Sequence, residues 1–338
     1  MNLKPIQEQV VVVVGANSGI GRETAIRFAE RGAKVVAAGR SLASLTELVH
    51  QIQLNGGEAS AYEADVSQYE QMQSLAQRAV EQYGRIDTWV HVAAVSIYAP
   101  FQETRPEEFR RLIEVNLIGQ AFGAMAALPH IKQAGGGALI HIGSVESKRG
   151  FPLHSAYSAS KHGMIGFIDA LRVELIHDRT PISVTTILPA GINTPFFDKS
   201  LTRLGVKPRP SPPVYEAGLV ADAILYAAEH PVREMYVGGA GRSMAWLHRL
   251  SPALTDWLFS RLSYRPQLTD QPKSDQSPNN LFEHVEGYDQ VQGTFSREAR
   301  SISLYTGLRM HPKLFWGLLI GLGGAGYALL SRRRSFHR

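Results

Sequence analysis

Val10-Val11-Val12-Val13-Val14-Gly15-Ala16-Asn17-Ser18-Gly19-Ile20-Gly21 decides how the rest of the chain is read. Five consecutive valines make a strand that is apolar on both faces, the habit of a parallel sheet covered on each side. Arg22–Arg31 continues with helical spacing, Ala25, Ile26, Phe28 and Ala29 offering an apolar side, until Gly32 stops it. Lys34–Ala38 is a second apolar strand, so the unit is strand, turn, helix, strand. Within the turn, Gly15 permits a tight bend, Gly19 lets backbone approach a pyrophosphate, and Gly21 lets helix and sheet touch. Asn17, Ser18 and Ile20 complete the loop, whose helix N-terminus favours an anion. Taken alone the loop also reads as an ordinary glycine-rich turn. No Lys-Ser or Lys-Thr follows it, which excludes a Walker A phosphate loop.

The alternation continues outward. Helical spacing covers Ser41–Leu54, Gln68–Tyr83, Pro106–Leu128, Ser155–His177 and Pro213–Glu229, and strands fall at Glu58–Tyr62, Ile86–Ala93, Ala138–Ile142, Ile182–Leu188 and Met235–Val237. This order predicts an α/β fold: a Rossmann-type, doubly wound parallel sheet with helices on both faces and a ligand crevice along one edge. That domain takes residues 1–250. Residues 251–310 form an extension in which Gln267–Asn280 reads as a polar linker, and residues 311–338 hold an apolar segment and a basic tail.

Composition narrows the class. Of 338 residues, 44% are hydrophobic and 19% charged, which argues against a disordered chain. The absence of cysteine excludes disulfides, thiolate metal sites and cysteine nucleophiles. Residues 1–250 carry 24 Lys or Arg against 23 Asp or Glu, whereas residues 251–338 carry 11 against 7. The basic excess is thus a tail property, and no nucleic-acid partner is expected. Val10–Val14 is too short for the core of a signal peptide. Leu314–Leu330 holds 17 residues without charge, preceded by Lys313 and followed by Arg332–Arg334, with Trp316 and Tyr327 near its ends. It predicts membrane attachment, with the folded domain facing the cytoplasm; a spanning helix would then put the heavier basic flank on the far side, against the positive-inside pattern, a conflict that a re-entrant or surface-lying helix removes. A soluble cytoplasmic protein is the second choice.

The second strand ends at Ala38-Gly39-Arg40, where a carboxylate would hold an unmodified ribose. Arg40 suits a 2′-phosphate instead, so NADP(H) is expected ahead of NAD(H). Asp65 and Val66, after the third strand, are placed for the adenine edge. Tyr157 and Lys161 stand four apart in Tyr-Ser-Ala-Ser-Lys, on one helix face. A nearby ammonium favours the phenolate, which makes Tyr157 a proton donor and acceptor. Ser144 lies just past a strand at the active edge, and Asn116 sits inside a helix, where asparagine usually needs a reason. His141 and His154 lack partners at ligand spacing, so no metal site is expected.

These residues resemble the short-chain dehydrogenase/reductase family, in its form with a core of about 250 residues. The likeness covers residues 8–242: the glycine loop at 15–21, Asn116, Ser144, Tyr157 and Lys161, and Pro189-Ala190-Gly191-Ile192-Asn193-Thr194 after the sixth main strand. The resemblance implies reversible hydride transfer between a nicotinamide and a carbonyl or secondary alcohol. It implies cofactor contacts from Ala93, Pro189, Ala190, Ile192 and Thr194, a water relay through Asn116 to Lys161, and dimers or tetramers. The sequence departs from the family at Val14 (usually threonine), at His91-Val92-Ala93-Ala94 (usually Asn-Asn-Ala-Gly) and at Ala190 (usually glycine). Pro195–Pro213 reads as a lid. Phe196 and Phe197 either line a pocket or close the core, and Val95, Ser96, Glu146, Leu153 and His154 lie on facing loops. A lipophilic substrate is expected. The alternative is a non-catalytic NADP(H)-binding sensor or scaffold on the same fold.

Overall fold

Alternate valines of Val10–Val14 (β1) point to opposite faces of a sheet, and all five are buried. Val12 and Val14 enter one apolar layer with Met72, Leu75, Leu112 and Ile168. Val11 and Val13 enter the other with Phe28, Leu48, Val220 and Ile224. Each buried valine contributes roughly 1.5–3 kcal/mol relative to exposure, so this strand is pinned from both sides. The computed structural model describes residues 2–311.

Six further strands join β1: β2 (Lys34–Gly39), β3 (Glu58–Glu63), β4 (Thr88–His91), β5 (Gly137–Ile142), β6 (Ile182–Pro189) and β7 (Glu234–Val237). All pairs are parallel, in the order β7-β6-β5-β4-β1-β2-β3. The order reverses beside β1, and in such sheets the ligand crevice opens there, beyond the strand C-termini. Helices α1 (Gly19–Glu30), α2 (Leu42–Leu54) and α3 (Tyr69–Tyr83) follow the first three strands. Ser41 caps α2 by accepting from the Ser44 N–H, and Gly84, at φ +81°, ends α3 in the left-handed region.

The expected long helix is three pieces. α4 (Pro106–Ile113) runs into a π turn at Glu114–Ile118 and then α5 (Gly119–Gln133). The Gly119 N–H reaches back to the Glu114 carbonyl, and Asn116 sits inside this turn. By length and apolarity alone this helix passes the test for a membrane span. Half of its apolar window is buried in the fold, where Phe122 packs on Tyr69 with ring centroids 5.2 Å apart. α6 (Ser155–His177) and α7 (Ala217–Glu229) complete the flanking layers. The α7 helix starts later than the sequence suggests, because Val214–Glu216 pairs in parallel with Gly191–Asn193.

The extension is more structured than a linker. α8 (Gly239–Leu250) and α9 (Pro252–Leu262) are followed by a strand at Leu268–Pro272, antiparallel to Val206–Pro208. Five of the fourteen residues in the stretch read as polar linker are therefore sheet. Its Thr269 hydroxyl donates to the Lys207 carbonyl, which satisfies backbone that a bare linker would leave to water. The chain then returns across the sheet edge through residues 280–296, and α10 (Leu304–Met310) packs against the β7 end. The apolar stretch 314–330 lies outside the described residues.

Candidate active site

The glycine loop bends where no side chain fits. Gly15 has φ +92°, and a Cβ there would lie 2.6 Å from the Ala93 nitrogen. At Gly21 a Cβ would lie 2.1 Å from the Gly15 carbonyl oxygen. The loop is tied to the neighbouring turn, because the Asn17 side-chain amide donates to the Ser41 carbonyl at 2.9 Å and Ser44 Oγ donates to the Asn17 carbonyl.

One crevice joins this loop to the proposed proton-transfer residues. Gly15, Asn17, Ser18, Gly19 and Ile20 line one stretch, with Arg40, Asp65 and Val66 at its far end. On the other side of the loop, Ala93 lines the crevice beyond β4, Ser144 beyond β5 and Pro189, Ala190, Ile192 and Thr194 at and beyond the end of β6, with Tyr157 and Lys161 from the helix after β5. Gly21 and Asn116 stand behind the wall. Asn116 is the one departure among the catalytic candidates. Its amide oxygen accepts from the Val95 N–H and its nitrogen donates to the Val95 carbonyl, both at 2.8 Å, with Ser160 Oγ at 3.4 Å. With both ends of the amide so used, the side chain fixes the loop bearing Val95 and does not face the crevice.

Tyr157 and Lys161 are buried on α6. Lys161 Nζ lies 5.5 Å from the Tyr157 ring centroid and donates to the Ile142 carbonyl at 2.8 Å. Burial brings the Lys161 ammonium down to about 8, against a smaller opposing pull from Glu146. The Tyr157 hydroxyl is held well above the usual tyrosine range, first by burial and then by the Glu146 charge, with contact from Ser144 acting the other way.

Glu146 anchors a polar network that the sequence named only as facing loops. Glu146 Oε1 meets His154 Nδ1 at 2.8 Å, Ser158 Oγ donates to Glu146 Oε2 at 2.7 Å, and His154 Nε2 meets Ser96 Oγ at 2.9 Å. The His154 ring lies 3.8 Å from that of Tyr98 and 5.0 Å from that of Tyr157. Neither tyrosine spacing nor a histidine count signals such a cluster, since the partners come from three separate segments. Phe196 and Phe197 both line the crevice, Phe196 with its ring 5.9 Å from that of Tyr157. Phe197 also packs on Tyr98 and on Phe295 of the extension, so the two sequence alternatives are both partly realised.

At the far end, Asp65 is already engaged. Arg111 holds its carboxylate at 2.7 Å, and Ser67 donates to it through both its N–H and its hydroxyl. Although burial alone would raise it, these bonds hold the Asp65 carboxyl below its ordinary range. Arg40 donates to the carbonyls of Asn280 at 2.7 Å and Phe282 at 3.1 Å. Among the described residues there is no group of three or more His, Asp or Glu able to hold a metal ion.

Residues 9–204 match the family model described as short chain dehydrogenase. The chain belongs to the short-chain dehydrogenase family. It is an oxidoreductase of CH–OH groups, as that membership and its relatives show. It is 36% identical over 324 residues to "Uncharacterized oxidoreductase YxnA" of Bacillus subtilis (strain 168), covering 95% of this chain and 91% of that protein. It is 34% identical over 194 residues to a 3beta-hydroxysteroid dehydrogenase of Mediterraneibacter gnavus, covering 57% of this chain and 69% of the other. Among solved structures it is similar to an alcohol dehydrogenase from the archaeon Thermococcus sibiricus complexed with 5-hydroxy-NADP. The TM-score is 0.59 at 25% identity, covering 68% of this chain and 94% of that one. That structure accounts for the short-chain dehydrogenase core and leaves nearly a third of the present chain unmatched, whereas the Bacillus relative runs through nearly all of it.

Proposed function

We propose that this short-chain dehydrogenase transfers hydride between NADP(H) and a lipophilic carbonyl or secondary alcohol, with Tyr157 as proton donor and acceptor. The observation that carries the reading is that Tyr157, Lys161 and Ser144 line the same crevice as the Gly15–Ile20 loop. The donor set fits a dinucleotide: a backbone cradle with no room for a side chain at Gly15, the N-terminal turn of α1, whose first N–H (Gly19) is taken by the Gln290 carbonyl, and a guanidinium at Arg40. Arg40, rather than a carboxylate, after β2 supports the 2′-phosphorylated form, as does the NADP analogue bound by the Thermococcus enzyme.

Hydride supply is the chemistry that the nicotinamide brings when bound. The protein's part begins with Ser144 and Tyr157, which hold the substrate oxygen as charge develops on it. Tyr157 then gives its proton to that oxygen in reduction and takes it back in oxidation. The Lys161 ammonium, above the ring edge, stabilises the phenolate left behind and keeps further N–H donors for a ribose hydroxyl. Asn116 holds the Val95 loop that borders the substrate space. Phe196, Phe197, Tyr98 and Phe151 make that space apolar, which supports a lipophilic substrate, and the steroid dehydrogenase relative points the same way. Incubation of the purified chain with membrane extracts is expected to consume NADPH faster than NADH and to convert discrete carbonyl compounds. Binding of NADPH with no turnover of any extract would leave only the sensor reading.

Glu146 sets where this proton transfer works. Its charge raises both Tyr157 and Lys161, so removing the charge lowers both. Alcohol oxidation needs the deprotonated tyrosine and therefore rises with pH. In Glu146→Gln the midpoint of that rise is expected to move to lower pH by about one unit, read from kcat against pH. An unmoved or raised midpoint would exclude the electrostatic role.

Exposed apolar residues on α5 and α6, among them Met125, Val173 and Ile176, support a second copy of this chain docking there, as the family commonly does. The uncharged stretch 314–330 supports membrane attachment. Cell fractionation is expected to find the full chain with membranes and a chain ending at residue 311 in the soluble fraction.

A further inference from the structure

The cofactor end of the crevice has a third wall that the solved core fold lacks. Residues 280–290 of the extension cross it. Gly19, first residue of α1, donates its N–H to the Gln290 carbonyl at 3.0 Å, and the Asn280 N–H donates to the Lys199 carbonyl at 2.9 Å. Arg111 Nε donates to the carbonyl of Leu281, whose side chain is fully buried. Further along, Asn193 Oδ1 accepts from the Phe295 N–H, and a Cβ at Gly293 would lie 2.4 Å from the Thr194 carbonyl oxygen. This is a fitted segment, bonded to the loop it covers.

Three cationic or protonatable groups meet at this wall: Arg40 and Lys199 from the core and His284 from the segment itself line the crevice with Ser18. Lys199 comes from the lid after β6, and its Nζ donates to Ser18 Oγ at 2.7 Å. The neighbouring charges are largely committed elsewhere. Asp65 is paired with Arg111 at 2.7 Å and Asp198 with Lys207 at 3.1 Å. Asp289 and Glu286, both acting on His284, are the remaining carboxylates. Asp289 stands 3.4 Å from His284 Nε2, and its Oδ1 and that nitrogen have no hydrogen-bond partner among the described residues. Arg40 thus faces only Asp65, which Arg111 already holds, and Lys199 faces Asp289 and Asp198, the second already paired with Lys207, so the positive groups here are incompletely matched. Burial draws Lys199 down to about 8 despite Asp289, while Arg40 works in the same direction as burial. An ammonium in that state is undercompensated, and a multiply charged anion would complete it.

We propose that Lys199 and His284, the latter supplied by the extension, form with Arg40 the site for a phosphate monoester on the bound nucleotide's ribose. Arg40 uses two of its five N–H groups on the Asn280 and Phe282 carbonyls. Those bonds fix the guanidinium while leaving donors for the ester. Lys199, resting on Ser18, brings a charge to a loop position that itself has none, and His284 closes the site from above. The extension is then part of nucleotide selection rather than an appendage to it. This rests on the nicotinamide-dinucleotide reading given above.

The test is equilibrium binding by the full chain, followed by fluorescence, with NADPH, NADH, 2′-AMP and 5′-AMP as probes. Wild type is expected to favour NADPH over NADH and 2′-AMP over 5′-AMP. Lys199→Met, which keeps the apolar stem, is expected to weaken NADPH and 2′-AMP by about tenfold or more, the worth of one charged hydrogen bond. NADH and 5′-AMP are expected to stay within about twofold, since neither carries a phosphate at the ribose 2′ position that the bond recognises. His284→Gln is expected to show the same selectivity with a smaller loss, and it serves on its own should Lys199→Met fail to fold. Equal losses for the NADPH and NADH pair, or none for 2′-AMP in a folded variant, would overturn the proposal. In that second case NADPH binding by wild type would leave the dehydrogenase reading intact, with Arg40 alone holding the ester. A wild type that binds none of the four probes removes both.

Discussion

Tyr157→Phe is expected to lower kcat by about a thousandfold, within the range that a positioned acid or base contributes, while NADPH binding stays within about twofold. The two halves of that result have separate structural causes. The hydroxyl is the only atom lost. It stands beside Ser144 and Lys161, beyond β5, whereas Arg40 lies beyond β2 on the other side of the glycine loop. The ring remains to pack on Phe196 and His154, so the wall of the substrate space survives. Single-turnover absorbance at the nicotinamide band gives the first quantity and fluorescence titration the second. Residual turnover within tenfold of wild type would show that another group delivers the proton. Glu146 and His154 are the nearest such groups in the crevice, so Glu146→Gln in the same background identifies them or excludes them. A loss of NADPH binding together with kcat would show instead that the hydroxyl shapes the nucleotide end.

Gly21→Ala is the second large effect, and it acts on the fold before the chemistry. The new methyl would lie 2.1 Å from the Gly15 oxygen and 2.7 Å from the Gly15 carbonyl carbon. Both are backbone atoms of a loop held at φ +92° and hydrogen-bonded to the Ala38 carbonyl. Neither side has a rotamer to give, so α1 must move off β1. Overpacking of this kind typically costs about 1–3 kcal/mol and occasionally more. Chemical denaturation is expected to show a loss at or above the top of that range, with NADPH binding lost in parallel as the α1 N-terminus leaves the crevice. A variant as stable as wild type would mean that helix and loop separate more easily than their contacts indicate. At Gly56 or Gly84, where a Cβ would meet nothing within 4 Å, alanine produces no such clash, although positive φ still disfavours it. Those positions serve as controls for backbone strain alone.

The sheet, the glycine loop and the Tyr157–Lys161 pair were legible in the sequence because each is a local pattern. Five valines, three spaced glycines and a four-residue helical step need no distant partner to be recognised. Asn116 was legible as an oddity within a helix but not in its task, which depends on a reciprocal bond to Val95 twenty-one residues away. The Glu146–His154 network was harder still. Its members lie on separate loops, and only the meeting of the β4 and β5 ends brings Ser96 to His154. The linker reading of Gln267–Asn280 failed for a similar reason. Polar residues on an edge strand look like loop until their partner, here Val206–Pro208, is known. Lys199 gave no signal at all, since a lysine in an irregular, proline-rich stretch has no periodicity to mark it. The serine that it meets at 2.7 Å is 181 residues away.

The hydrogen bond from Gly19 to Gln290 joins the start of the first helix to a residue far beyond the core. Shortening the gene to the boundary suggested by compact homologues would cut at about residue 250 and leave the sheet and its helices whole. The product would nonetheless have an open roof above its nucleotide end, so an assay on that fragment would measure a looser, less discriminating machine than the cell possesses. Expression work on chains of this length is therefore best guided by relatives that share the full span, and the trimmed form is best kept as a probe of what the roof contributes.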